Sequence, residues 1–365
     1  MIPLVKPNLG KNAAKYINQC LKTNWLSQGE FNKKLEEKFS SFCGTKYASS
    51  CSNGTAALYL ALKACGVGSG DEVIVPTLTF AATISAVVMA GAKPVFADIN
   101  EHDYNISVAE IQKLINPKVK AIIPVHLYGV PAEMDEILDI AQKNKCFVIE
   151  DSAEAIGSEY KNKKTGSMGN IGCFSFYGNK VITTGEGGMC ITNSLKLNEK
   201  INEYKNHGMS HRRPYYWHEV VGTNARLTNI QSAIGFSQIE IIRDIIKKRV
   251  KVHQNYLKEL KGTPGIILTN ESGYKKITPW LFVVRLKNKD KEKIVKKLIK
   301  NGVEARPGFY PCHQMPAFSK YVRPGQKFSV ANRVSKGIIN LPLFPELKLS
   351  QQKEVVKKLK EILKD

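Results

Sequence analysis

The chain has 365 residues, 43% of them hydrophobic, which is enough for a large core and for two domains. Its formal net charge of +22 suggests nucleic-acid binding, but the lysines are spread along the chain instead of being gathered in one basic segment. The composition therefore disfavours nucleic acid as the ligand and is compatible with a substrate that carries phosphate groups.

The sequence shows no export leader and no apolar segment of the roughly 18 to 20 residues that a membrane helix requires. Its eight cysteines are scattered without the spacing of zinc ligands, so we expect reduced thiols and no metal site. These features predict a soluble cytoplasmic protein without a membrane partner.

Short apolar runs alternate with helical patterns between residues 50 and 195. The runs predicted as strands are 72–76, 94–98, 121–125, 146–150, 173–176 and 188–192. The stretches predicted as helices are 55–66, 80–91, 107–116 and 132–144. This alternation predicts a mainly parallel sheet covered by helices. Because no GxGxxG motif follows an early strand, a dinucleotide-binding version of the fold is disfavoured.

The pattern changes after Asn229. Residues 230–262 are predicted as one long helix. The elements predicted after it are two or three strands, of which 280–285 is the clearest, an amphipathic helix near 290–301 and a last helix at 349–363. We therefore predict a large α/β domain over residues 1–240 and a smaller C-terminal α+β domain over residues 241–365.

Two segments are suited to hold a phosphate group. Ser52-Asn-Gly-Thr55 stands directly before a predicted helix, where free backbone N–H groups attract anions and Gly54 permits close approach. Taken alone, this segment also fits an ordinary capped helix. Ser175, on a predicted strand, adds a hydroxyl at the sheet edge where such folds bind ligands.

Three further side chains suit a planar, cationic ring. Asp151 follows an apolar strand, where a carboxylate can keep a pyridine nitrogen protonated or can merely cap a helix. Phe80 follows another strand and can stack on a ring or belong to the core. Lys180 lies among small residues, and a partly desolvated lysine can form an imine and act as a base. Together with the phosphate segments, they indicate pyridoxal 5′-phosphate (PLP).

These segments and others give the sequence a resemblance, nearly end to end, to the DegT/DnrJ/EryC1/StrS family of PLP-dependent sugar aminotransferases. The motifs that carry it are Asn24-Trp-Leu-Ser27, Ser52-Asn-Gly-Thr-Ala56, Gly70-Asp-Glu-Val-Ile-Val-Pro76, Val125-His-Leu-Tyr-Gly129, Ile149-Glu-Asp-Ser-Ala-Glu-Ala155, the Lys180 loop with its TTGEGGM tail, Thr228-Asn-Ile-Gln-Ser-Ala233 and Arg306-Pro307. The resemblance implies an α/β fold of the aspartate aminotransferase type, also called PLP fold type I.

The resemblance also assigns residues to the ring of the cofactor. Lys180 would carry PLP covalently, and Asp151 would pair with the ring nitrogen. Glu154 would lie against the ring, and Phe80 would cover it.

The phosphate of PLP would be held by Gly54, Thr55 and Ser175. In this family, an asparagine that matches Asn224 reaches the phosphate from the neighbouring subunit. The resemblance therefore implies a homodimer in which the two chains share each active site.

The activity implied is transfer of the amino group of L-glutamate, which leaves as 2-oxoglutarate, to C4 of a nucleotide-linked 4-keto-6-deoxyhexose. GDP-4-keto-6-deoxymannose is the favoured substrate. Candidate substrate contacts are Ser27, Arg306 and His313.

Several alternatives stay open for the function. The substrate could be a UDP- or dTDP-linked 4- or 3-keto sugar or a small phosphorylated ketone. A more distant alternative is a non-catalytic relative that binds nucleic acid or serves as a regulatory protein. A dehydratase is disfavoured, because such relatives carry histidine at the position of Lys180.

Two positions depart from the family pattern. Relatives commonly read Asn-Tyr-Arg where this chain has Asn224-Ala-Arg226, and they often carry a bulkier residue at the position of Gly308. We expect both departures to leave more room beside the substrate.

Overall fold

The structure, a computed structural model, describes residues 1–210, 212–268 and 273–364. Within these residues the α-helices are α1 (Ala13–Thr23), α2 (Glu30–Cys43), α3 (Gly54–Ala64), α4 (Ala82–Met89), α5 (Val108–Leu114), α6 (Met134–Lys143), α7 (Leu195–Lys205), α8 (Asn229–Ile239), α9 (Ile242–Leu260), α10 (Lys291–Lys300), α11 (Ser329–Val334) and α12 (Leu349–Lys364). The β-strands there are β1 (Tyr47–Cys51), β2 (Glu72–Pro76), β3 (Lys93–Ala97), β4 (Val119–Ile122), β5 (Phe147–Asp151), β6 (Glu159–Tyr160), β7 (Lys163–Lys164), β8 (Ile171–Ser175), β9 (Gly188–Thr192), β10 (Ile266–Ile267), β11 (Lys275–Lys276), β12 (Phe282–Leu286), β13 (Arg306–Pro307) and β14 (Ile338–Leu341).

The main sheet has the strand order β1-β9-β8-β5-β4-β2-β3 in the part of the chain that the structure describes. The strands from β8 to β3 pair in parallel, whereas β9 is antiparallel to both β8 and β1. Strands β2, β8 and β9 are buried along their whole length, which explains their continuous apolar runs. The predicted mainly parallel sheet is confirmed.

A smaller antiparallel sheet, β10-β12-β14-β13, lies later in the chain and has a core of its own. Helices α9, α10 and α12 cover it with side chains that include Tyr256, Leu298 and Leu359. The short strands β11, β6 and β7 form a third sheet. The division of the chain into domains at residues 240 and 241 stays a prediction.

The helix predicted over residues 230–262 is in fact two helices, so this prediction was wrong. Helix α8 begins with a capping box between Thr228 and Gln231 and ends at Ile239, and α9 begins at Ile242. The first helix packs on the core around Phe39, whereas the second half of α9 packs on the smaller sheet. The chain turns between these two cores at residues 240–241, where the sequence has no proline or glycine to indicate a turn.

Two predictions drawn from composition concern thiols and membranes. None of the eight cysteines is paired in a disulfide in the structure, and only Cys146 is not buried; the reduced state of the thiols stays a prediction. None of the described helices combines the length and the apolar character needed to cross a membrane.

Candidate active site

A cavity of about 930 Å³ opens where β5 and β8 end, and it extends to β13 of the smaller sheet. The predicted site residues that line it are Gly54, Thr55, Phe80, Asp151, Glu154, Ser175, Lys180, Asn224 and Arg306. The structure thus brings together nearly all of the side chains that the sequence singled out.

The N-terminus of α3 forms a cradle at one end of this cavity. Asn53 caps the helix by accepting a hydrogen bond from the N–H of Ala56 at 2.8 Å, which leaves the first N–H groups of the helix for an anion. A Cβ at Gly54 would lie 2.9 Å from the Cβ of Ser175, and one at Gly188 would lie 2.4 Å from the carbonyl oxygen of Asn53. Glycine is therefore needed at both positions for β8, β9 and α3 to meet this closely.

Asp151 ends β5 inside the protein. Its Oδ2 accepts a hydrogen bond from the Thr83 hydroxyl at 2.7 Å, and its Oδ1 accepts one from the N–H of Ala153 at 3.2 Å. Burial raises the pKa of Asp151, and the bond from Thr83 opposes that rise. A cationic ring nitrogen beside this carboxylate would supply the opposite charge that the site lacks.

Asp151 is anchored through its neighbours His126 and Glu150, which the sequence analysis did not single out as site residues. The backbone N–H of His126 donates to the backbone carbonyl oxygen of Asp151 at 3.0 Å. Its Nδ1 accepts from the N–H of Ala132 at 3.0 Å, so the proton lies on Nε2, which donates to Glu150 at 2.9 Å. Glu150 also accepts three backbone N–H bonds, from Gly166, Met168 and Gly169.

Lys180 and Glu154 face each other in the cavity wall. The Nζ of Lys180 lies 3.6 Å from Oε1 of Glu154, beyond hydrogen-bond length, and the two side chains are only 11% and 5% exposed. Burial lowers the pKa of Lys180, although Glu154 and Asp151 oppose that effect. Burial also raises the pKa of Glu154 to about 7. Both groups are thus shifted toward their neutral forms, as proton-transfer groups require.

Three stacked aromatic rings lie behind Lys180, and the sequence analysis assigned none of them to the site. Trp280 and Phe309 line the cavity, and Tyr128 packs against both. Tyr128 and Phe309 are parallel at 5.6 Å, and Trp280 is nearly parallel to both at 6.3 Å. The Trp280 ring lies under the Nζ of Lys180, 3.9 Å from its centroid. Phe80 contacts Phe309 at 6.0 Å from the opposite side.

Tyr128 is held in the left-handed backbone region, with φ 57° and ψ 18°, although it is not glycine. Its N–H thereby donates to Oε2 of Glu154 at 2.8 Å. Left-handed backbone costs a non-glycine residue about 1–3 kcal/mol and recurs at functional sites. A signal was present in the motif Val125-His-Leu-Tyr-Gly129, which the sequence analysis used only for the family resemblance.

The structure does not bring the three candidate substrate contacts, Ser27, Arg306 and His313, into one cavity. Arg306 lines the cavity and is the cross-strand partner of Asn340, which also lines it. Ser27 is exposed and is not among the described residues that line the cavity. His313 is also outside that lining, because its Nδ1 lies 2.6 Å from the Thr77 hydroxyl and its ring stacks on Phe328 at 4.1 Å. The roles of Ser27 and His313 in substrate binding stay predictions.

The two departures from the family pattern differ in position. Ala225 lines the cavity, as expected. Gly308 does not widen the cavity: a Cβ there would lie 2.3 Å from Cγ2 of Ile338, a buried side chain of β14. The expectation for Gly308 was wrong, because the missing side chain faces β14 and not the substrate.

The residues present can hold PLP. The α3 cradle with Ser175 is suited to its phosphate, Asp151 to its ring nitrogen, and Lys180 to its aldehyde. Buried amide oxygens of Asn179 and Asn340 also lie in residues of the cavity wall without a hydrogen-bond partner among the described residues.

Comparisons with known proteins agree with this geometry. The model of the DegT/DnrJ/EryC1/StrS aminotransferase family matches residues 7–360. The chain is 40% identical to GDP-perosamine synthase of Escherichia coli O157:H7 over 100% of this chain and 99% of that protein. It is 39% identical to GDP-perosamine synthase of Caulobacter vibrioides, over 99% and 98% of the two chains. A solved aminotransferase from Psychrobacter cryohalolentis superposes with a TM-score of 0.92, at 32% identity and 99% coverage of both chains.

Proposed function

The chain belongs to the DegT/DnrJ/EryC1/StrS aminotransferase family, and we propose that it transfers the amino group of L-glutamate to C4 of GDP-4-keto-6-deoxymannose, which gives GDP-perosamine. It is a PLP-dependent aminotransferase with an α/β fold. One observation carries the proposal: a buried lysine, two buried carboxylates and the N-terminus of α3 converge on one cavity. The identity of about 40% to GDP-perosamine synthases along the whole chain supports the choice of sugar.

PLP would be held by residues from both faces of the cavity. When bound, it acts as an electron sink for the carbon that gains or loses the amino group. The N–H groups of Gly54 and Thr55 and the hydroxyl of Ser175 would hold the phosphate. Asp151 would keep the ring nitrogen protonated, and Phe80 and Glu154 would lie against the ring.

Proton transfer is the task of the Nζ of Lys180 once this lysine is free of the cofactor. Its burial favours the neutral amine, which can take up a proton. Glu154, 3.6 Å away with a pKa raised to about 7, can hold the compensating proton. Tyr128 fixes the other oxygen of Glu154 through its N–H and so orients that carboxyl group.

The cavity has features that suit a sugar nucleotide. Its volume of about 930 Å³ lies at the upper end of the range of small-molecule sites. Arg306 supplies a cation for a diphosphate or a carboxylate, and Ala225 leaves room beside the cradle.

The active unit is a homodimer in which Asn224 of one chain reaches the phosphate in the other. In support, Phe80 and Met89 at the cavity are 60% and 62% exposed in the single chain. An aromatic segment with Tyr215, Tyr216 and Trp217 also projects from the chain just before Asn224. Exposed apolar surface of this kind is typical of protein contacts.

The test is a panel of nucleotide-linked keto sugars, with L-glutamate as the donor and mass spectrometry of the products. The panel contains GDP-, UDP- and dTDP-linked 4-keto-6-deoxy sugars, a UDP-linked 3-keto sugar and a small phosphorylated ketone. We expect the GDP-linked sugar to gain an amino group, and preferential amination of another member would overturn the choice of substrate.

The control for the chemistry is Lys180→Ala. Wild-type protein loaded with PLP should show visible absorbance that bleaches on addition of L-glutamate, and borohydride should fix the cofactor on Lys180. The variant should lose covalent attachment and turnover while it keeps its fold. A wild-type protein that ignores PLP would overturn the chemistry as well as the substrate.

A further inference from the structure

Trp280 contacts the reactive amine of the cavity. Its ring centroid lies 3.9 Å from the Nζ of Lys180, within the range in which an aromatic face attracts a cation. The nearest carboxylate oxygen that forms an ion pair with this Nζ, Oε1 of Glu154, lies at 3.6 Å and makes no short hydrogen bond. The indole face of Trp280 therefore lies about as close to the ammonium of Lys180 as the carboxylate of Glu154 does.

The indole is fixed in this position from several sides. Its Nε1 donates to the carbonyl oxygen of Asn179 at 2.9 Å, and Asn179 directly precedes Lys180 in the chain. Its ring is nearly parallel to those of Tyr128 and Phe309, with interplanar angles of 10° and 15°. Trp280 is only 6% exposed, so the ring cannot turn away without disturbing this packing.

We infer that Trp280 is a positioning residue that seats the free ammonium of Lys180 on its indole face whenever the lysine is detached from the cofactor. The seat holds the amine in the cavity, beside Glu154. It also keeps the ammonium from closing onto Glu154 as a tight ion pair, which would remove the amine from the reaction. The inference rests on the proposed role of Lys180.

The charges around Lys180 determine the sign of the expected effect. Glu154 and Asp151 on the segment around β5 favour the ammonium, and burial favours the amine. Glu186 and Arg306 also line this cavity. The indole face adds a further attraction for the ammonium, so weakening that face alone must lower the pKa of Lys180.

The experiment changes the electronics of the ring and keeps its shape. Fluorinated tryptophans of increasing fluorine content are incorporated biosynthetically; fluorine withdraws electron density from the ring face and so weakens its attraction for a cation. In the cofactor-free protein, acylation of Lys180 is followed against pH by mass spectrometry. We expect the midpoint to fall stepwise by about one pH unit in total, equivalent to about 1.4 kcal/mol.

The matched control is Trp280→Phe with the same fluorinated tryptophans, which then occupy only positions 25 and 217. We expect no dependence on fluorine in this variant. A wild-type midpoint that does not move with fluorine content, or that moves equally in Trp280→Phe, overturns the inference.

This outcome is separable from a failure of the proposed function. Borohydride fixation of PLP on Lys180 reports the role of the lysine independently of Trp280. If fixation occurs and the midpoint is insensitive to fluorine, only the inference about Trp280 fails. If PLP is fixed elsewhere, the proposed function fails with it.

Discussion

At the residue scale, burial acts on Lys180 and Glu154 in the same direction, since it favours the neutral form of both. The sequence could predict that Lys180 and Asp151 belong to one site, because each stands in a distinctive local motif, and both line the same cavity. It could not predict the contact of Trp280 with Lys180, which joins residues a hundred positions apart in the chain. The raised pKa of Glu154 depends on the same kind of distant packing.

Glu154 should make the stability of the cofactor-free protein depend on pH. Its pKa rises from 4.5 in the unfolded chain to about 7 in the fold, so between these values the folded state binds more protons. The stabilising contribution of Glu154 to the free energy of unfolding is therefore fully present below pH 4.5. It is lost as the pH rises from 4.5 through 7, and the total loss is about 3 kcal/mol. Urea unfolding at several pH values should show that Glu154→Gln removes this slope.

The matched control is Glu37→Gln, because Glu37 is exposed on α2. This variant should keep the wild-type dependence on pH. An unchanged slope in Glu154→Gln would mean that another group carries the effect.

At the element scale, the strands and helices that bear the site were predicted within a few residues. The predicted helix 55–66 is Gly54–Ala64, and the predicted strand 188–192 is Gly188–Thr192. Apolar runs fully buried in a parallel sheet carry a strong signal. Strand β1, by contrast, was missed because YASSC is weakly apolar, and it becomes a strand through pairing with β9.

The α3 cradle gives a prediction for Gly54→Ala. The added Cβ would lie 2.9 Å from the Cβ of Ser175 and would push the helix away from β8. Overpacking of this kind costs about 1–3 kcal/mol, so we expect PLP to bind about tenfold more weakly or worse, as measured by titration of its absorbance. Gly68→Ala is the control, because a Cβ there meets no heavy atom within 4 Å. Equal affinity of the two variants would contradict this account of the cradle.

The β13–β14 pair gives a prediction for Gly308→Ala. The new Cβ would lie 2.3 Å from Cγ2 of Ile338, so the variant should lose about 1–3 kcal/mol of stability in urea unfolding and should keep its substrate preference. In the double variant with Ile338→Gly, which removes both Cγ2 and the Cβ that would lie 2.6 Å away, the destabilisation should be less than the sum of the two single effects. Strict additivity would show that the two positions do not clash.

At the scale of the whole molecule, one hydrophobic core joins the main sheet to one face of the smaller sheet, and a second core lies between the smaller sheet and the helices that cover it. The sequence indicated this arrangement through the change of pattern after Asn229. It could not indicate the turn between α8 and α9, since neither a proline nor a glycine lies there. The homodimer stays a prediction, and the exposed aromatic segment before Asn224 is its main support.

A mixing experiment tests whether the two chains share each site. Lys180→Ala and Asn224→Ala are each expected to be inactive as pure dimers. If Asn224 acts on the partner chain, dimers formed from an equal mixture should recover about a quarter of wild-type activity, because half of them are mixed and each mixed dimer has one intact site. Activity that stays absent would mean that Asn224 serves the cavity that it lines in its own chain.

The two adjacent acids of β5 have a consequence for the tolerance of this strand to insertion and deletion. Successive side chains of a strand point to opposite faces, so Glu150 meets three backbone N–H groups and His126 while Asp151 meets Thr83 and the cavity. An insertion or deletion of one residue within Phe147–Asp151 would turn each of these two side chains to the opposite face of the strand. Glu150 would then point toward the cavity and lose its four donors, and Asp151 would point away from the cavity and lose the Thr83 hydroxyl. Point substitutions should therefore be tolerated in this strand more often than any change in its length.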